Sequence, residues 1–268
     1  MGCSVQGKKE LRKSAREHIG KAYNRWLLIR HYAQRGHVCR VLITRAYFRK
    51  NKKTKLQVGC GPNCLDGWLN ADLASGDIYL NAKRKMPFKL ESFDFIFCEH
   101  FIEHLGRENG LKFLSDCYRI LKENGIIRIV SPDLEKIIDI YYDRSPYVKR
   151  QTLIEAYGKG TQIQACELLN DYMHKWGHKF IYDKQMIASA LASIGFDDIT
   201  FCEYKKSNHP ELRDLDKHLE QYAFLNPAET FIVEARKKQN IFGDEKTGKE
   251  VADYKKLEKT LIPIDKRV

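Results

Sequence analysis

The sequence predicts an α/β protein built on an open, mainly parallel sheet with helices on both faces, preceded by a basic helical arm. Three observations predict it. From residue 55 onward, short apolar runs bounded by Gly, Pro, Asn and Asp alternate with stretches of helical periodicity, the pattern of strand–helix units. The first run opens into a Gly-x-Gly loop. Charge is divided sharply, with 16 Lys/Arg against two acidic residues before residue 56, a net +14, and −2 over the remainder.

The arm comes first. Leu11, Ala15, Ile19, Ala22, Tyr23, Trp26, Ile29 and Ala33 recur in steps of three and four, which describes one face of a helix over 8–33. Gly36 interrupts it, and 38–48 resumes as a second, more apolar helix. Arginines 25, 30, 35, 40 and 45 recur every five residues and so spread around the helix as a basic collar. Residues 51–55 are a charged linker. The predicted units are an arm over 1–54, a catalytic domain over 55–236 and a charged tail over 237–268.

Within the domain, 56–58, 68–71, 78–80, 93–98 and 126–130 read as strands. A helix over 106–123 is expected to stop at Asn124-Gly125, and Ser131-Pro132-Asp133 to cap another that runs to 142. Residues 144–180, aromatic and His-rich, read as an insertion. A helix over 184–194 stopped by Gly195 precedes late strands at 199–204 and 230–235, and the long connection 205–229 is expected to form its own helical flap.

No stretch has the 18 or so apolar residues of a spanning helix, and the N-terminus lacks a secretory layout, so a soluble cytoplasmic protein is expected. Eight scattered cysteines read as reduced core thiols. No metal site is expected. Cys60 and Cys64 lack a second ligand pair, and His174 and His178, four apart, enclose no metalloprotease glutamate and carry a glycine poor for a helix.

The chemistry concentrates in Leu56-Gln57-Val58-Gly59-Cys60-Gly61-Pro62 and the Asn70-Ala71-Asp72 that follows. Glycines after a buried strand let the backbone approach a ligand, with Cys60 contributing its backbone, and an acid ending the next strand can accept from both ribose hydroxyls. The plain alternatives are turn glycines and an ordinary strand-end acid. Asp72 follows Gly59 by 13 residues, against about 20 in the dinucleotide fingerprint. The short connection leaves no full helix to receive a pyrophosphate, which disfavours NAD or FAD. S-adenosyl-L-methionine has no phosphate to hold and remains compatible.

These residues, with Met86-Pro87-Phe88, Ser92-Phe93-Asp94, Glu99-His100-Phe101-Ile102-Glu103-His104-Leu105, Gly125 to Asp133 and Gly177-His178-Lys179-Phe180-Ile181-Tyr182-Asp183, resemble class I S-adenosylmethionine-dependent methyltransferases over about 55–236. In particular they resemble a predicted bacterial branch with a shortened first loop, often associated with surface-polysaccharide biosynthesis. The resemblance implies a Rossmann-like sheet whose last strand is antiparallel, and cofactor contacts from Gly59, Cys60, Gly61 and Asp72. Where such enzymes often carry an acid for the adenine amino group this chain has Asn81-Ala82, and the Asn81 amide oxygen can accept instead. It also places Glu99 and His100, after the fourth strand, beside the acceptor, with His100 or His178 able to take a hydroxyl proton. A helix-entry cluster with Glu103 and His104 is the structural alternative.

The expected function is O- or N-methylation of a small molecule or glycan precursor. The alternatives are an RNA methyltransferase, or a nucleic-acid or membrane-surface binding protein that keeps the fold. Because the basic charge belongs to the arm, the domain itself has little to grip a polyanion. Trp26, Leu27, Leu28 and Ile29 beside Arg25 and Arg30 would suit a helix lying on anionic lipid, but packing of this apolar face on the sheet domain or on a second subunit is the favoured expectation, since amphipathic helices usually bury their stripe in protein.

Overall fold

The five early apolar runs and the two late ones pair into a single seven-stranded sheet. The computed structural model describes residues 36–158, 164–217 and 226–238. The strands are β1 (Lys55–Val58), β2 (Leu69–Asp72), β3 (Ile78–Tyr79), β4 (Phe93–Glu99), β5 (Leu121–Pro132), β6 (Phe196–Phe201) and β7 (Thr230–Lys237). Their order is β3-β2-β1-β4-β5-β7-β6. Only β7 runs against its neighbours, antiparallel to both β5 and β6, as expected for the last strand.

Alternation along β4 divides the core. Ile96 and Cys98 join Leu56, Val58, Ile127 and Ile129 on one face, covered by helices at Arg107–Ile120 and Lys184–Ile194. Phe95 and Phe97 join Trp68, Ile126, Val130 and Ile232 on the other. The described residues that cover the second face include Leu65, Trp68 and Leu212, the last on a loop. The ten-residue link from β1 to β2 is too short for a crossing helix. Its polar backbone is satisfied by side chains, with Asn70 and Gln57 accepting from the Leu65 amide.

Further differences have local causes. The helix at Arg107–Ile120 ends before the Asn-Gly pair, because Leu121 already pairs with Phe93 at the start of β5. Asn124, at φ 59°, is then the turn of a bulge that restores pairing at Phe95 and Ile126. The strand expected at 199–204 begins earlier, at Phe196, since the left-handed Gly195 ends its helix and the chain turns straight into the sheet. The connection 205–229, expected to form a helical flap, is described over 205–217 and 226–229. Its described part is a loop with one turn of 3-10 helix, Pro210–Leu212, and a short helix, Asn226–Glu229. Residues 144–180 supply helices Arg150–Gly158 and Ala165–His174, which share a small separate core with the helix Leu134–Tyr141 through Leu153, Leu168 and Ile140. Asp133 caps that last helix by accepting from the Glu135 amide, as its sequence position predicts.

The periodic stretch 8–33 and the tail from 239 lie outside the described residues. The second arm helix spans His37–Lys50 and packs on the sheet domain through Ile43, Tyr47 and Phe48. The Tyr47 hydroxyl donates to the Lys55 carbonyl, pinning the helix to the start of β1. No helix among the described residues is long and apolar enough to cross a membrane.

Candidate active site

The strand order reverses direction between β1 and β4, and in open α/β sheets ligands enter the crevice outside the carboxyl ends of the strands at that switch point. The Gly-Cys-Gly loop leaves β1 there and Glu99-His100 closes β4 beside it. The two sides touch. A Cβ built on Gly59 would lie 2.2 Å from Cδ2 of Phe101, so the aromatic ring of the β4 exit rests on the β1 loop.

Gly59 and Gly61 both adopt positive φ, 71° and 50°. Their surroundings differ. Gly59 is kept small by Phe101, whereas a Cβ on Gly61 would meet nothing within 4 Å. The close approach foreseen at both glycines is made at Gly59 by a side chain of the protein, while the space beside Gly61 is open. Cys60 is buried and its side chain turns into the β2–β3 connection, where it prevents a Cβ at Gly76. Burial, aided by Cys64 and Asp72, pushes its thiol above the usual range.

Asp72 ends β2 with its carboxylate over the same loop. Its Oδ2 accepts from the Gly61 amide at 3.2 Å, and its Oδ1 from Ala74 and Ser75 at 2.8 and 3.3 Å. A carboxylate offers about four acceptor sites, so capacity remains for a hydroxyl. Asn81 and Ala82 follow β3 next door, where the Leu80 amide bonds the Asp72 carbonyl. The Asn81 amide oxygen already accepts from Lys83, at 3.1 Å, and Ala82 is buried in the core.

The far side of the crevice is built on a 3-10 turn, Ile102–His104. Glu99 leaves β4 with both carboxylate oxygens accepting from the Lys217 amide, at 3.0 and 3.2 Å. His100 sits at φ 46° and its Nδ1 lies 3.5 Å from Oε1 of the wholly buried Glu103. Burial alone would discharge this imidazole, but Glu103, Glu99 and Glu229 outweigh it and raise its pKa above the ordinary His range. Reciprocally, burial pushes the Glu103 carboxyl up, but His100 overcomes that and holds it below the usual carboxylate range. Oε2 of Glu103 accepts from the Ser131 hydroxyl at 3.2 Å.

The Gly-His-Lys-Phe run docks on this turn through its backbone. The Lys179 and Phe180 amides both donate to the Glu103 carbonyl, at 2.8 and 3.2 Å. His178 is thereby stacked edge-on against His104, ring centroids 5.0 Å apart, with its Nδ1 hydrogen-bonded to the Tyr172 carbonyl at 2.7 Å. Burial lowers the His178 pKa, with Tyr172 and Glu103 opposing.

The fold therefore gathers the loop residues Gly59, Gly61 and Asp72 on one side of the switch point, and Glu99, His100 and His178 on the other. Sequence reasoning missed Glu103 as the hub, having read it with His104 as a helix entry. The available signal was a carboxylate three residues after His100 and four after Glu99 on a turn, but only the fold shows that it is buried beneath His178. Phe101 was missed as well, since an aromatic after a strand reads as core.

The sequence profile of a methyltransferase domain matches residues 71–129. No curated protein matches the sequence. Similar solved structures include a SAM-dependent methyltransferase from Archaeoglobus fulgidus, at 18% identity over 74% of this chain and 94% of that one, TM-score 0.41. A possible histamine N-methyltransferase from Thermotoga maritima aligns at 15% identity over 83% and 98%, TM-score 0.41. A phosphoethanolamine N-methyltransferase from Haemonchus contortus, solved with phosphomonomethylethanolamine and S-adenosylhomocysteine, aligns at 14% identity over 73% of this chain and 52% of that one, TM-score 0.42.

Proposed function

We propose that this chain, an S-adenosylmethionine-dependent enzyme carrying a methyltransferase domain over 71–129, methylates an oxygen or nitrogen of a small molecule or glycan precursor. The carrying observation is the open cradle at Gly61 beside the Asp72 carboxylate, at the switch point of a sheet whose profile is that of a methyltransferase domain. The donor supplies an electrophilic methyl group on a sulfonium. The loop backbone at Cys60 and Gly61 and the Asp72 carboxylate hold the nucleoside and its amino-acid tail, with the Asn81 amide and Ala82 at the adenine end.

Glu99, His100 and His178 line the acceptor side. Most of the acceleration comes from holding acceptor and methyl close and in line. For an alcohol acceptor, the hydroxyl proton passes to an imidazole of His100 or His178, worth a further factor of about 10² to 10⁴. Incubation with labelled methyl donor and a panel of nucleotide sugars, glycans, RNA and small metabolites tests the reading. Transfer to a sugar or small-molecule acceptor, lost in Asp72→Ala together with cofactor binding, is expected. Transfer to RNA alone, or unaltered binding in Asp72→Ala, overturns it.

The arm serves as a tether to an anionic membrane surface in this reading. On its described helix, Val38 and Leu42 are 68% and 58% exposed while Ile43, Tyr47 and Phe48 grip the domain, so apolar surface is left outward next to exposed Arg45. The full chain is expected to sediment with anionic vesicles at low salt and to be released as salt rises. Retention in the supernatant at low salt refutes the tether and leaves the domain reading intact.

A further inference from the structure

Glu103, His104 and His178 bring one ligating atom each within 4.8 Å of one another. The expectation of no metal weighed only Cys60 with Cys64 and His174 with His178, the latter enclosing no metalloprotease glutamate. The fold pairs His178 instead with residues from the β4 exit. We propose that Glu103, His104 and His178 hold a divalent first-row transition-metal ion at the acceptor end of the crevice. Its consequence for the acceptor rests on the methyl-transfer reading, whereas its binding does not.

Several independent features point to it. Two imidazoles and one carboxylate suit borderline divalent ions, and three protein ligands leave positions open for an incoming oxygen. The Nδ1 of His178 bonds the Tyr172 carbonyl at 2.7 Å, which puts the proton on Nδ1 and the lone pair on Nε2. A ligating histidine characteristically has this outer partner, which fixes tautomer and ring orientation. Glu103 is wholly buried, and its Oε1 makes no hydrogen bond among the described residues. The closest cationic group, His100 Nδ1, stands at 3.5 Å, well beyond the 2.7–2.9 Å or so of a charge-assisted bond. Buried carboxylates are paired or coordinate a metal. The ligands are also preorganised, because two backbone bonds from Lys179 and Phe180 lock the His178 segment onto the Glu103 carbonyl.

An ion here would polarise an acceptor oxygen at an open position, favouring loss of its proton. His178 would then be a ligand and no longer a proton acceptor. Acceptors with adjacent hydroxyl or carboxylate oxygens would chelate best, which narrows the glycan and small-molecule class.

The test uses the full chain, stripped with a chelator and titrated with Co²⁺ under calorimetry and visible absorption. One equivalent is expected to bind, without the near-ultraviolet thiolate band that the exposed Cys64 or Cys166 would produce. Glu103→Gln, His104→Ala and His178→Ala should each weaken binding roughly 100-fold or more, beyond the 10–100-fold typical of an outer-partner change. His174→Ala, at an exposed position on the adjoining helix, should bind as the parent does. Circular dichroism of each variant checks folding, and near-isosteric Glu103→Gln keeps the test independent of a misfolded histidine variant. Absence of stoichiometric binding, a thiolate band, or binding that survives all three ligand changes overturns the proposal. Metal binding without cofactor binding in the same protein would instead sink the methyl-transfer reading alone, and cofactor binding without metal would do the reverse.

Discussion

Gly61→Val is expected to lose S-adenosylmethionine affinity by about 100-fold or more, roughly 2.8 kcal/mol at 1.4 kcal/mol per tenfold, while the fold survives. Gly61 has φ 50° and nothing within 4 Å of where a Cβ would stand. The Cβ of a substituted residue thus has open space, and the main expected cost to the fold is the strain of a left-handed residue, about 1–2 kcal/mol. Over a domain of this size that lowers Tm by roughly 2–8 °C. A ligand backed onto the loop would meet the new methyl groups directly. Gly61→Asn separates strain from space, since Asn tolerates this backbone region yet still fills the cradle. Equal loss of binding in both variants assigns the effect to space. Calorimetric affinity near the parent value in either folded variant would remove Gly61 from the cofactor site. Gly59→Ala should behave oppositely, losing stability first, because its Cβ would collide with the Phe101 ring.

That contrast shows what could be read from the chain alone. Local chemistry was legible: the buried runs became strands, Asp133 and Gly195 bound their helices where their side-chain and backbone preferences dictate, and the two loop glycines took positive φ. The difference between the glycines was not, since it depends on a ring from β4 that reaches Gly59 only after the sheet forms. Glu103 illustrates the same limit. A charged residue on a short turn has no periodicity to betray burial, and the groups that cover it come from Ser131 and from the 178–180 segment, each fixed by tertiary pairing. Asn124-Gly125 misled for a related reason. The dipeptide signals a turn, and a turn formed, but as a bulge within β5 instead of a helix stop. Arg128, inside an apolar run, gave no hint of its partners.

Those partners make Arg128→Leu the substitution with the largest expected cost in stability, about 3–5 kcal/mol, the range for breaking a buried ion pair by removing one side. Arg128 on β5 is wholly buried and bonds Asp216 through two nitrogens, at 3.1 and 2.6 Å, and Glu234 of β7 at 2.6 Å. Its remaining reach goes to the Lys206 carbonyl. Asp216, also wholly buried, accepts in addition from the Lys205 amide at 2.8 Å, so the guanidinium ties the 205–217 loop to the sheet at several points. Leucine would fill the volume but leave two buried carboxylates without a cation. The triple variant Arg128→Leu with Asp216→Leu and Glu234→Leu should recover most of the loss, since removing all the charges removes the uncompensated desolvation. The loop matters for the site as well: Lys217, next to Asp216, donates its amide to both oxygens of Glu99. Release of the clamp should therefore raise the acceptor KM more than it weakens cofactor binding, because the loop bonds Glu99 directly, whereas it reaches the β1–β2 link only through apolar packing of Leu212 with Leu65 and Trp68. Urea unfolding measures the first effect, and steady-state kinetics beside calorimetry the second. An Arg128→Leu protein as stable as the parent would show that the carboxylates find other partners, and equal losses of cofactor and acceptor affinity would show that the loop does not act through Glu99.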